Sequence, residues 1–220
     1  MRDNVEKEFD LLFEHYPDLR GCRDSVLEAY QVLCDCYHAK GVIMVCGNGG
    51  SAADAEHIVG ELMKGFKLKR PLSLEQRQLI QTVWPDEGAF LSERLQQAIP
   101  AISLVSQTSI STAFINDVDA DMVFAQLVFG YGRAGDVLIG LSTTGNSKNV
   151  VNACKVAKAL GVRTIGFTGE RESQLSEICD VTIRVPAQEV YRVQELHQPV
   201  YHTLCAMVEA EAFGQFAIDN

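Results

Sequence analysis

The sequence predicts an α/β fold, a doubly wound parallel sheet of about five strands with helices on both faces. Three observations predict it. Short apolar runs recur at 42–46, 101–105, 136–141, 162–167 and 181–185, and several are rich in β-branched residues. Such runs read as buried parallel strands. Helical spacing fills several of the intervals, so strands and helices alternate. Two of the runs, 42–46 and 136–141, end on small polar loops, and each loop opens a helix. With right-handed crossovers the arrangement is Rossmann-like or flavodoxin-like.

The elements follow in chain order. Val5, Phe9, Leu12, Phe13 and Tyr16 recur with helical spacing until Pro17 interrupts. Ser25 and Glu28 are spaced as a capping box for a second helix. Its stripe is Val26, Tyr30, Leu33, Cys34 and Tyr37, and Gly41 is placed to stop it. These two amphipathic helices form an N-terminal segment, 1–40, ahead of a domain spanning 41–220. They either cover the sheet or pair with another subunit. After the first strand and its loop, a helix runs from Ser51 to about Lys64. Residues 67–98 are polar and irregular, with a helix capped by Ser73 and Gln76 and a loop at 84–88. The helix after the second loop stops at Gly161, and the chain is helical again from about Gln194. Pro199 is expected to kink or start that last helix, since it cannot donate to the carbonyl of Glu195.

Composition narrows the function. The 220 residues and 24.2 kDa suit one domain with appended helices. The 47% apolar content excludes a disordered chain. A net charge of −10 argues against a global grip on nucleic acid or an anionic membrane. A small anion would need a local positive potential. Seven cysteines without a CxxC pair predict small buried hydrophobes in a reducing compartment, not a disulfide framework. The charged N-terminus lacks an apolar signal-peptide core, and cytoplasm is the expected location.

The loop Gly47-Asn48-Gly49-Gly50-Ser51 lets backbone N–H groups approach an anion, and the helix behind it offers unpaired amides. It fits the loose dinucleotide pattern, but the region about 20 residues on is basic rather than an acid-ended strand, which disfavours NAD. No P-loop signature occurs. Ser142-Thr143-Thr144-Gly145-Asn146-Ser147 supplies four hydroxyls at another helix start. Capping needs one hydroxyl, so the loop reads as a phosphate site that needs no lysine. His57 and Glu61 share a helix face at i and i+4. Such a pair suits proton transfer or metal binding when a further group joins it. Gln194 and His202 lie on one side of the last helix, about 80° apart in azimuth. His197 falls on another face and is expected to be structural or to point to a neighbour, while Glu56 faces solvent.

The motifs GNGGSAADAEH with Glu61, STTGNS, and QExH with a second histidine together resemble the SIS-domain phosphosugar isomerases, and most closely the phosphoheptose isomerase branch. The resemblance covers roughly residues 40–210. It implies isomerisation of sedoheptulose 7-phosphate to D-glycero-D-manno-heptose 7-phosphate. It implies substrate contacts from Asn48, Gly49, Gly50, Ser51, Glu61, Asn116, Asp117 and Gln194, with Ser142, Thr143, Thr144 and Ser147 on the phosphate. Glu61 matches the base, and His202 its acid/base partner. His57, Glu61, Gln194 and His202 match the ligands of a zinc site seen in some members. The resemblance further implies a homotetramer with sites built between subunits. The alternative is a non-catalytic phosphosugar-binding regulator or a replication-initiator-binding protein, in which the Glu/His set would be dispensable.

The chain departs from the family pattern at three places. The 67–98 insertion is longer than expected, and surface decoration is its plainer reading beside a lid or a subunit contact. Lys64, Lys67, Lys69 and Arg70 form an anion-steering patch or, more plainly, a solvated basic face. Tyr191 stands where some members carry a small or acidic residue.

Overall fold

The computed structural model describes residues 2–214. Met1 and residues 215–220, and with them the outer limits of the two predicted segments, lie outside the described residues. The order is α1 (Asp3–His15), a 3-10 turn (Pro17–Cys22), α2 (Arg23–His38), β1 (Ile43–Gly47), α3 (Gly50–Met63), α4 (Leu74–Val83), α5 (Gly88–Arg94) and β2 (Ala101–Ser103). Then come α6 (Thr108–Asp117), a 3-10 turn (Ala120–Met122), α7 (Val123–Tyr131), β3 (Val137–Leu141), α8 (Lys148–Ala159), β4 (Arg163–Thr168), α9 (Gln174–Ile178), β5 (Val181–Arg184) and α10 (Val190–Phe213).

The five strands form one parallel sheet in the order β2-β1-β3-β4-β5. The sheet carries a core on each face, because side chains alternate along a strand. Ile43, Val45, Val137 and Ile139 face a core built with α1, α2, α3 and α10. Met44, Cys46 and Leu138 face a second core built with α7, α8 and α9. The two N-terminal helices therefore cover the sheet. Val5, Phe9, Leu12, Val26 and Leu33 join the first core, and each such side chain contributes about 1.5–3 kcal/mol on burial.

Several boundaries differ from expectation for physical reasons. Ser25 is not a helix cap. The Pro17 turn runs straight into α2, the cap position falls on Cys22, and the Ser25 hydroxyl donates to the Cys22 carbonyl. Lys40, not Gly41, takes the left-handed conformation after α2 (φ 58°). Gly41 is required for another reason, since a Cβ there would lie 2.5 Å from the Gly135 carbonyl oxygen. Pro199 neither starts nor ends a helix, because α10 begins nine residues earlier and runs through it. The Ser73–Gln76 capping box is present on α4 in both directions. Helices α5, α6, α7 and α9 lie outside the predicted elements.

The strand order places the topological switch between β1 and β3. In such sheets ligands bind in the crevice beyond the carboxyl ends of the strands at that switch. The loops that leave β1 and β3 are 48–49 and 142–147, the two polar loops of the sequence. Within the 67–98 insertion α4 packs on α5 as a helical hairpin, closed at its base by a Pro71–Gln96 bridge. Leu74, Leu79, Val83, Trp84 and Phe90 are exposed on it.

Candidate active site

Gly49 enters α3 with φ 56°, a conformation that favours glycine. Gly50 lies against the side-chain amide of Gln194, and a Cβ there would come within 2.5 Å of its nitrogen and displace that side chain. Asn48 and Gly50 are exposed, while Ser51 is buried. The structure ties this loop to the next. Asn48 and Asn149 exchange two amide hydrogen bonds, each 2.9 Å. Asn149 was missed in the sequence, although an Asn in the first turn of a helix is a local signal.

In the second loop Ser147 is the residue that caps α8, yet its hydroxyl makes no capping bond. It pairs instead with the Ser142 hydroxyl at 2.9 Å. The hydroxyl-rich sequence is therefore not spent on capping. Gly145 has φ 68°, and a Cβ there would lie 2.0 Å from the Ser173 hydroxyl oxygen. Thr143, Thr144 and Asn146 line a pocket of about 340 Å³ with Gly169 and Gln188. Glu170, Arg171 and Glu172 line the same pocket, and the 12-residue α8 begins one residue after Ser147, the last of the loop.

The acid–base candidates meet where α3 crosses α10. His57 Nε2 is 3.3 Å from Glu61 Oε1 and 3.3 Å from His202 Nε2. Lys64 Nζ donates to the other Glu61 oxygen at 2.8 Å. Burial raises the Glu61 pKa, but the Lys64 hydrogen bond and charge, with His57, outweigh it, and the carboxyl is held below its usual value. Burial lowers the His202 pKa, the neighbouring His57 lowers it further, and Glu61 only partly opposes them. At neutral pH the pair is a carboxylate facing a neutral imidazole.

Tyr201 and Asp54 complete this cluster and were missed in the sequence. The Tyr201 hydroxyl lies 3.2 Å from Asp54 Oδ1 and 3.1 Å from His57 Nδ1. The Phe66 ring packs on His202 with centroids 5.6 Å apart. His197 is structural, as one of its two expectations had it. It is fully buried, its Nε2 meets the Thr168 carbonyl at 3.2 Å, and burial lowers its pKa to about 4.

Other predicted residues lie elsewhere. Gln194 makes no hydrogen bond to His57, Glu61 or His202 among the described residues. Its amide packs on Gly50, seven residues before His57, and it lines a pocket of about 320 Å³ with Asp54 and Tyr191. Asn116 and Asp117 end α6, exposed and hydrogen-bonded to each other, with no bond to either loop among the described residues. Arg70 belongs to neither a steering patch nor a solvated face. Its fully buried guanidinium pairs with Glu209 at 2.7 Å and donates to the carbonyls of Leu62 and Glu61. Glu209 also accepts the backbone N–H groups of Phe66, Lys67 and Leu68. Lys67 pairs with Glu8. Glu56 faces solvent and accepts from Ser106.

The zinc set can be tested on these positions. Tetrahedral zinc with bonds of about 2.0–2.1 Å separates its ligand atoms by about 3.3 Å. Both contacts of His57 Nε2 have that spacing. That spacing is present at His57 Nε2 alone, and Gln194 makes no hydrogen bond to His57, Glu61 or His202 among the described residues. Among the described residues no group of three His, Cys, Asp or Glu is placed to hold a metal ion as it stands.

Comparison with known proteins shows the family. The SIS domain family model matches residues 20–81 and 87–169. The phosphoheptose isomerase of Rhodospirillum rubrum is 36% identical over 95% of this chain and 97% of its own length. That of Akkermansia muciniphila is 33% identical over 97% of this chain and all of its own. The phosphoheptose isomerase structure from Neisseria gonorrhoeae superposes with a TM-score of 0.68 at 29% identity, covering 94% of this chain and 91% of that one. The one from Francisella tularensis shares the fold with a TM-score of 0.72 at 24% identity, covering 94% and 96%. By its sequence, its sheet order and its two loops, the chain belongs to the SIS-domain family, in the phosphoheptose isomerase branch.

Proposed function

We propose that the protein isomerises sedoheptulose 7-phosphate to D-glycero-D-manno-heptose 7-phosphate. The observation that carries this reading is the 3.3 Å contacts of His57 with Glu61 and His202, where the helix that leaves the switch-point loop crosses α10. The phosphate sits on the hydroxyls of Ser142, Thr143, Thr144 and Ser147 and the amides of α8. Asn48, Gly49, Gly50, Ser51 and Gln194 hold the sugar, with Asn116 and Asp117 contacting its chain. Anchoring the phosphate leaves the reacting carbons to be presented to Glu61.

Glu61, ionised at neutral pH, takes a proton from C1 of the ketose, exchanges it with solvent while the enediol stands and delivers a proton to C2, as a proton leaves the C1 hydroxyl and one is added at the C2 oxygen through His202. The developing enediolate oxygen receives a hydrogen bond from neutral His202, a donor suited to a charge that appears only in the transition state. His57, Glu61 and His202 would hold zinc, which when bound supplies Lewis-acid polarisation of a sugar oxygen. Four copies assemble in the proposed working form. Exposed apolar side chains on α6 and α7, among them Ile115, Val118 and Phe129, support burial against a neighbour.

The non-catalytic alternative is disfavoured by the assembled Glu/His cluster and by relatives named as isomerases. Among the described residues no helix is long and apolar enough to cross a membrane. The test is a panel of phosphorylated ketoses assayed with zinc and with chelator. Turnover is expected with the seven-carbon ketose 7-phosphate. Turnover confined to another ketose phosphate would reassign the substrate, and none with any would overturn the enzymatic reading.

A further inference from the structure

Asn149, in the first turn of α8, reaches across the switch point to the loop that leaves β1. Its amide and that of Asn48 lie head to tail. Asn48 Nδ2 donates to Asn149 Oδ1, and Asn149 Nδ2 donates to Asn48 Oδ1, both at 2.9 Å. Asn149 Oδ1 also accepts the backbone N–H of Val150 at 3.0 Å. Asn149 is half-buried, while Asn48 is exposed.

These three bonds fix the orientation of both amides. A backbone N–H donates and never accepts, so the Asn149 atom beside it has to be the oxygen. Turning the Asn149 amide over would set its NH2 against the Val150 N–H and take the acceptor from one of the first amides of α8. With Asn149 held, Asn48 pairs at both ends in a single orientation. The reverse would place nitrogen against nitrogen and oxygen against oxygen. An Asn side chain has two N–H groups and two carbonyl lone pairs. Asn48 therefore keeps one N–H and one lone pair unspent by this pairing, in fixed directions, on an exposed side chain next to Gly49 and Gly50. A sugar hydroxyl both donates and accepts, and suits such a pair.

We propose that Asn149 is a positioning residue: pinned by Val150, it orients the Asn48 amide and so sets the sugar at a fixed place relative to the 142–147 loop. This rests on the proposed contact of Asn48 with the sugar and is independent of the proton transfer assigned to Glu61 and His202. The expected worth is that of about one hydrogen bond, about 3–10-fold in affinity.

The test is a double-mutant cycle in the full chain with Asn149→Ala, Asn48→Ala and both together. Calorimetry reads the binding of sedoheptulose 7-phosphate, and its displacement reads the binding of inorganic phosphate. Steady-state assays read turnover. Asn149→Ala is expected to weaken sugar phosphate binding and lower kcat/KM about 3–10-fold, with the affinity for inorganic phosphate kept within about twofold. In the Asn48→Ala background the same change is expected to cost less than about twofold, because Asn149 acts through Asn48. Should Asn149→Ala fail to fold, Asn149→Ser, too short to reach Asn48, carries the same comparison. Unchanged sugar phosphate affinity, or an equal loss in both backgrounds, would overturn the proposal. So would an equal loss for inorganic phosphate, since the pair would then shape the 142–147 loop rather than aim Asn48. A wild-type chain that binds the sugar phosphate without turnover would count against the isomerase reading, and the binding cycle would still decide the role of Asn149. A wild-type chain that binds no sugar phosphate would overturn both.

Discussion

The hydroxyl loop after β3 is made by six consecutive residues, 142–147, whereas the acid–base centre joins His57 to His202, 145 residues apart in the chain. The loop takes its shape from its own backbone. Gly145 turns it, Ser142 and Ser147 pair within it, and α8 begins where it ends. The crossing of α3 and α10 has no such local source. It is held by contacts of long sequence separation, above all Arg70 with Glu209 and Tyr201 with Asp54. Binding and chemistry are thus secured differently. The proposed anion site is a local motif, and the proposed proton-transfer site depends on the packing of the whole first face.

That difference can be broken at either end. The largest effect is expected from Glu61→Gln, which keeps size and helix but removes the base. Turnover should fall by about 10²–10⁴-fold while phosphosugar binding persists, as steady-state assays and calorimetry would show. Retained turnover would remove Glu61 from its role. Arg70→Met comes next. It leaves Glu209 as an unpaired buried charge and frees the carbonyl of Glu61 itself, so denaturant unfolding should show a loss of about 3–5 kcal/mol. Adding Glu209→Leu should not restore the loss, because three backbone amides at 66–68 then lose their acceptor.

Smaller effects sharpen the contrast. Ser142→Ala should raise KM for the phosphosugar by about tenfold, the worth of about one hydrogen bond to a charged group, and leave the thermal midpoint nearly unchanged. A large loss of stability instead would mean that the loop is structural. Lys64→Met should act on pH dependence alone. Lys64 helps to hold the Glu61 pKa below its usual value, so its removal lets that pKa rise. The acid limb of kcat/KM, which reports the ionisation of the base, should then move to higher pH. An unmoved limb would mean that Lys64 does not tune the base.

The sequence was legible where structure is local. The buried apolar runs, the two loops, the Ser73–Gln76 cap and the shared face of His57 and Glu61 all follow from short-range spacing. The failures have one physical cause. Ser25 and Glu28 have capping spacing, but the upstream Pro17 turn decided where α2 begins. Arg70 reads as one of a basic cluster, and only tertiary packing buries it against Glu209. Gln194 shares a helix side with His202, yet lies far enough along α10 to meet Gly50 instead. Helix α6 shows little amphipathic contrast and buries no side chain fully, so periodicity had nothing to detect.

The central claim is that Glu61 moves a proton between adjacent carbons of a sugar whose phosphate rests on the 142–147 loop. Incubating the protein with sedoheptulose 7-phosphate in deuterated water tests it most directly, with the product followed by NMR. The account predicts deuterium at C2 of the aldose heptose 7-phosphate, and none at that carbon with Glu61→Gln. Product formed without solvent deuterium, or no exchange with any ketose phosphate, would contradict it.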